Sequence, residues 1–231
     1  MPIFELAASS WFGSLVGMRH ALEPDHLAAV STLVSRERSS YRAALLGLFW
    51  GLGHTAALVV VAASLLIVRA GIPAAATDVF EFLVAVMLVG LGVQAMHRAV
   101  RQGESGPTHE HRHGRLVHQH PGVRAHVHVG AWTLARRPLL IGAVHGLAGS
   151  GALTALVLAA LPSTAARLAY VALFGIGSTL SMAVLSGLFG WPLARLGSHQ
   201  GLARTISVLV GIFSTGLGIV WGYTTAARLF G

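Results

Sequence analysis

Of 231 residues, 54% are hydrophobic and only 10% charged, against about 25% charged in ordinary soluble domains, which leaves too little polar surface for a fold surrounded by water. The absence of cysteine excludes disulfides and thiolate metal sites, so any metal here is held by imidazole, carboxylate, hydroxyl or thioether groups. The net charge of +8 would suggest nucleic acid in a soluble protein, but all the basic residues are arginines placed between apolar stretches, so the expected partner is a lipid bilayer and not nucleic acid.

Residues 1–4 carry no basic group ahead of the first apolar run, which argues against a cleaved signal peptide. The first candidate span, residues 7–33, is interrupted by Arg19, Glu23, Pro24 and Asp25. Residues 43–68 follow without a charge, and a third span is expected over residues 76–100 with Asp78 and Glu81 as solvated groups at its start. After a polar stretch, residues 138–166, 168–194 and 205–227 are again free of charge. A helix needs about 20 apolar residues to cross the hydrocarbon core, so the chain is expected to be an all-α integral membrane protein of about six transmembrane helices.

Arginine placement sets the expected orientation. Twelve arginines fall in the segments after the first, third and fifth spans, three fall in the alternate segments, and Arg19 lies within the first span. The positive-inside rule then puts both termini outside the cytoplasm, in a multi-pass protein of the cytoplasmic membrane.

A repeat organises the apolar part. Gly17-Met18-Arg19-His20-Ala21-Leu22 matches Gly142-Ala143-Val144-His145-Gly146-Leu147 at an offset of 125. Residues 49–55 match residues 173–179 at 124, and Gly90-Leu91-Gly92 matches Gly216-Leu217-Gly218 at 126. Three spans per unit is an odd number, so the second unit enters the membrane upside down relative to the first. The expectation is two inverted three-helix repeats, residues 1–100 and 131–231, joined by a cytoplasmic loop of residues 101–130. Close packing of small residues is the simpler role for Gly51, Gly53, Gly175 and Gly177.

The chemical signal lies in the first span, where His20, Glu23, Asp25 and His26 surround Pro24. Ionisable groups within a membrane need a protein or water-lined interior. On a straight helix, His20 and Asp25 point about 140° apart. Pro24 breaks the hydrogen-bond ladder and allows an unwound turn that could gather them. Two imidazoles and a carboxylate suit nickel, cobalt, zinc or iron. The alternative is a surface cluster in which Glu23 neutralises Arg19. His54 and His145, each isolated in a charge-free span, are either further ligands or neutral core histidines; Ser178, Thr179, Ser181 and Met182 are weaker candidates in the second unit.

The pattern His20, four residues, Asp25-His26, followed by Leu52-Gly53-His54-Thr55, resembles the signature of the nickel/cobalt transporter superfamily. Residues 143–152 look closest to its urease-accessory membrane branch. The resemblance covers most of the membrane portion and implies transport of nickel(II) or cobalt(II), needing His20, Asp25, His26 and His54, with His145 as a further candidate. The chain has about six spans where the family's permeases have eight, and its second half lacks their acidic motif.

The loop adds His109, His111, His113, His118, His120, His126 and His128, a tract that cannot form an apolar core and is expected to be mobile and to bind divalent metal weakly. It suits buffering, or delivery to a metallochaperone or metalloenzyme maturation protein. His97 reads as a helix-end residue, and His199 carries no functional signal. No cofactor is expected. Without any lysine, a phosphate-binding loop of the usual kind is excluded. A divalent cation moving inward gains about 4.6 kcal/mol per 100 mV, enough for about 2,000-fold accumulation. The expected function is nickel or cobalt uptake. The alternative is a membrane-bound metal chaperone, or a urease or hydrogenase accessory protein without autonomous transport. An enzyme is not expected, because no nucleophile motif is present.

Overall fold

The computed structural model describes residues 3–35, 37, 39–68, 74–101, 109–113, 116–120, 131–148, 161, 163–196 and 200–231. Seven helices occupy most of them: α1 (Ile3–His20), α2 (Pro24–Val34), α3 (Ser40–Val68), α4 (Ala74–Arg101), α5 (Ala131–Ala148), α6 (Thr164–Leu196) and α7 (Gln200–Phe230). Among the described residues, four segments are long and apolar enough to cross a membrane: Ser40–Ser64, Ala75–Arg101, Thr164–Pro192 and Gly201–Phe230. Large apolar side chains cover their outer faces, among them Val60, Leu188 and Val220, as expected of helices bathed in lipid.

The first candidate span is two helices rather than one. Pro24 has no N–H to continue the ladder, so α1 ends at His20 and α2 starts afresh with Pro24 in its first turn. Between them the chain tightens: Leu22 N–H bonds the Arg19 carbonyl and Glu23 N–H bonds the His20 carbonyl, both at 3.0 Å. Leu27 N–H then reaches the Glu23 carbonyl at 3.0 Å and closes the first turn of α2.

Packing pairs α3 with α6, α4 with α7, α1 with α6 and α5 with α3, while α2 contacts α3, α4, α6 and α7. The contacts exchange partners across the sequence repeat. Gly17 lies against the Phe174 backbone and Gly142 against that of Trp50; Gly53 meets Leu139 and Gly177 meets Ser14; Gly51 meets Thr179 and Gly175 meets Thr55. Each pair is converted into the other by the same offset of 124 or 125. Where equivalent positions meet, hydroxyls join the helices: Thr55 Oγ1 is 2.9 Å from Thr179 Oγ1, and Ser214 Oγ donates to the Leu88 carbonyl at 2.9 Å.

Asp78 and Glu81, expected as solvated end groups, instead bind Arg228: its Nε donates to Asp78 at 2.7 Å and its Nη2 to Glu81 at 2.5 Å. The acids near the start of α4 are thereby tied to the last turns of α7. In the loop, part of the histidine-rich tract forms an antiparallel hairpin, β1 (His109–His113) and β2 (Leu116–His120), that opposes His109 to His120 and His111 to His118. Backbone pairing needs no apolar core, which is why a polar tract can adopt it.

A methyl group at Gly142 would overlap the Trp50 carbonyl, whereas one at Gly90 would meet nothing within 4 Å. Gly142→Ala is expected to destabilise the protein by about 1–3 kcal/mol in reversible unfolding in mixed detergent micelles, the range for overpacking a tight site. Gly90→Ala should be neutral or stabilising by up to about 1 kcal/mol.

Candidate metal centre

The break between α1 and α2 places His20 at the end of one helix and Asp25 and His26 in the first turn of the next, so the three no longer follow one helical spiral. His54 joins them from the middle of α3 and His145 from the last turn of α5. All five are buried: His26, His54 and His145 at 0%, Asp25 at 1% and His20 at 4% exposure. Ring centroids lie 4.3 Å apart for His20 and His26, 5.2 Å for His26 and His54, 5.3 Å for His20 and His54, and 4.2 Å for His26 and His145.

Hydrogen bonds divide the ring nitrogens into two kinds. A carboxylate only accepts, so each ring facing one presents N–H to it. His26 Nδ1 donates to Asp25 Oδ1 at 3.0 Å, and His145 Nε2 donates to Asp25 Oδ2 at 2.8 Å. His20 Nδ1 pairs with Glu23 Oε2 at 3.0 Å, which replaces the Glu23–Arg19 pairing considered from sequence. The remaining nitrogens, Nε2 of His20, Nε2 of His26, both of His54 and Nδ1 of His145, are buried without a hydrogen-bond partner.

Orphaned imidazole nitrogens grouped in this way have the character of ligand atoms, because a buried polar atom without a partner is costly unless something else satisfies it. His20, His26 and His54 form one group whose ligand atoms lie within 4.8 Å of one another, and Asp25, His26 and His145 form a second that shares His26. Imidazole–metal bonds of about 2.0–2.1 Å would require these atoms to draw slightly closer around one ion. The carboxylates on the far nitrogens of His20 and His26 are the partners that commonly fix the tautomer and orientation of ligating histidines.

The five leading membrane candidates, His20, Asp25, His26, His54 and His145, are brought to this cluster, whereas the weaker candidates are not among its donor groups: Thr179 pairs with Thr55, Ser181 with the Met18 carbonyl and Ser178 with Met182. Of the loop histidines, His109, His111, His113, His118 and His120 fall in the hairpin, while His126 and His128 lie outside the described residues, as does His199. Sequence reasoning missed Glu23 as a partner of His20 and missed two aromatic walls. Trp50 stands 5.5 Å from both His26 and His145, and Phe174 stands 5.3 Å from His20. Trp50 lies one helical turn before His54, which was the available signal. Phe174 comes from a distant helix, and its signal was its match to Trp50 in the internal repeat.

Asn in place of Asp25 keeps the shape but removes one of the two acceptors, so either His26 or His145 loses its partner. Asp25→Asn is expected to weaken nickel binding by about 10–100-fold, the range for loss of a group that orients a ligand. Titration calorimetry on purified protein measures this, and an unchanged affinity would show that the carboxylate does not orient the site.

Residues 4–213 match the family model described as "NicO: High-affinity nickel-transport protein". The chain is 33% identical to the "Urease accessory protein UreH" of Bacillus sp. (strain TB-90), over 96% of this chain and 94% of that protein. It is 28% identical to the "Chloroplast protein FOR GROWTH AND FERTILITY 1" of Arabidopsis thaliana, over 79% of this chain and 49% of that protein. No solved structure matches it.

Proposed function

The chain belongs to the NicO family of high-affinity nickel-transport proteins, and from that premise and its buried histidine cluster we propose that it carries nickel or cobalt ions across the cytoplasmic membrane into the cell. The observation that carries the reading is the convergence of unpartnered imidazole nitrogens from His20, His26 and His54 in the buried interior. Neutral imidazoles suit these borderline cations and repel them less than arginines would, and the membrane potential favours inward movement without further coupling. The ion is cargo, and the protein performs no covalent step on it.

In this reading six spans form two inverted units. The first comprises the broken α1–α2 span, α3 and α4; the second comprises α5, α6 and α7. The reciprocal glycine contacts support that relation, because a two-fold operation that swaps the units must swap each contact with its partner. In the same reading both termini lie outside the cytoplasm, the orientation that the arginine distribution favours, and the histidine-rich segment of residues 101–130 lies inside, where it buffers the delivered ion.

A second reading is favoured by the name of the urease accessory relative: the protein would hold metal for a maturation partner and catalyse no sustained flux. Reconstitution distinguishes the two. With residues 109–128 replaced by a histidine-free linker, proteoliposomes are expected to retain saturable nickel or cobalt uptake, and His54→Ala is expected to abolish it. Binding of one ion per chain without uptake would favour the accessory role.

Orientation has its own check, made clean by the absence of native cysteine. A cysteine placed beside Met1 should react with an impermeant maleimide on intact cells, and Ser105→Cys should not. The opposite pattern would invert the topology.

A further inference from the structure

Tyr170, Phe174, Ser178, Met182 and Ser186 of α6 are spaced four apart and nearly fully buried. The rings of the first two share an apolar cluster with Leu58 and Ala62 of α3, although the Tyr170 hydroxyl is itself buried without a hydrogen-bond partner. Met182 likewise belongs to the main apolar core, with Trp50 and Leu88, but packing does not explain the hydroxyls on either side of it. Among the described residues, Ser178 Oγ finds a sulfur, Met182 Sδ at 4.0 Å, a weak acceptor. Ser186 Oγ is buried without a hydrogen-bond partner, and so is Trp50 Nε1 on the facing helix. Alanine or leucine would fill such positions without stranding polar atoms.

The row has a direction. Its Phe174 ring lies 5.3 Å from His20, at the histidine cluster. Met182 packs in one core with Trp50, whose ring borders His26 and His145. Beyond that, Met182 and Ser186 close upon Gly47 of α3, and Gly190 upon Ala43. The row therefore leads from the cluster to the end of the molecule where α3 begins, beside Arg42, and α6 finishes, after Arg195.

We propose that this face of α6, from Ser178 to Ser186, is the ion's route between the histidine cluster and the arginine-bearing end, with the Met182 thioether as an intermediate ligand. The inference rests on the transport reading above and assigns that pathway its second wall. A thioether is an uncharged, soft donor, a weaker ligand than imidazole for nickel or cobalt. Weak binding is what a passing station requires, since an ion must leave each site it enters. The hydroxyls of Ser178 and Ser186 and the N–H of Trp50 would hold water that accompanies the ion, which explains why none has a firm protein partner.

Because the chain lacks cysteine, single substitutions Ser178→Cys, Met182→Cys and Ser186→Cys can be read without background, beside Val184→Cys and Leu188→Cys on the lipid-facing side. In proteoliposomes of the full chain, the first three are expected to react with a small impermeant methanethiosulfonate reagent and to be protected by nickel. The two lipid-facing positions should stay unreactive. Met182→Leu, which nearly conserves volume, should keep nickel affinity at the histidine cluster while slowing nickel flux about fivefold or more. Variants that bind nickel normally are folded, so a pattern in which none of the three cysteines reacts and Met182→Leu transports at the parental rate would overturn the route. Loss of flux from the unmodified chain would overturn the transport reading, and this inference with it.

Discussion

A carboxylate inside a membrane protein has to be satisfied at both oxygens, and Asp25 meets that demand from two directions. One oxygen accepts from His26, its neighbour in sequence, and the other from His145, 120 residues away. Removing an ion from water costs several kcal/mol even after relaxation, so a group at 1% exposure is tolerable only with such partners. This pair of bonds orients two of the imidazoles, joins the first hundred residues to the region after the loop, and determines which ring nitrogens remain open.

The close approach that makes the Asp25–His145 bond possible depends on glycine. Gly142 and Gly146 lie one turn apart on α5 and press on the backbone of α3 at Trp50 and His54, so that His145, between them, enters the cluster. In lipid there is no hydrophobic drive to bring helices together, and intimate backbone contact with interhelical hydrogen bonds does that work. Ser181 Oγ donating to the Met18 carbonyl at 3.3 Å, near the end of α1, serves the same purpose beside the helix break. Packing and chemistry are therefore not separate roles for the repeated glycine motifs: the glycines set the distance at which the histidines meet.

The features legible in the sequence were those with a local cause. Charge-free length announced α3, α6 and α7, a shorter apolar run between Glu81 and Arg98 announced α4, and Pro24 among ionisable groups announced the break that gathers His20, Asp25 and His26. His54 and His145 could be singled out because a lone imidazole in an apolar span needs an explanation. Their partners could not be assigned, since those depend on tertiary geometry: Glu23 sits next to both Arg19 and His20 in sequence, and only the turn at residues 21–23 decides for His20. Arg228 and the Asp78–Glu81 pair are about 150 residues apart, with no sequence motif to link them. The hairpin at His109–His113 and Leu116–His120 escaped notice because alternation of histidine with polar residues carries no apolar signal for a strand.

The two donor groups that share His26 make different demands on Asp25. An ion held by the open nitrogens of His20, His26 and His54 uses none of the atoms that bind the carboxylates, so the Asp25–His145 bond can persist beneath it. An ion held by Asp25, His26 and His145 must take a carboxylate oxygen or the bound face of a ring, and it competes with that bond directly. Any displacement of α5 relative to α2 acts on the same contact, because His145 is carried by one and Asp25 by the other. Occupancy of the three-histidine group would thus leave the arrangement of helices described here undisturbed, whereas occupancy of the second group would crowd the contact between α2 and α5. A single carboxylate would in that case tie the position of an ion to the packing of these two helices.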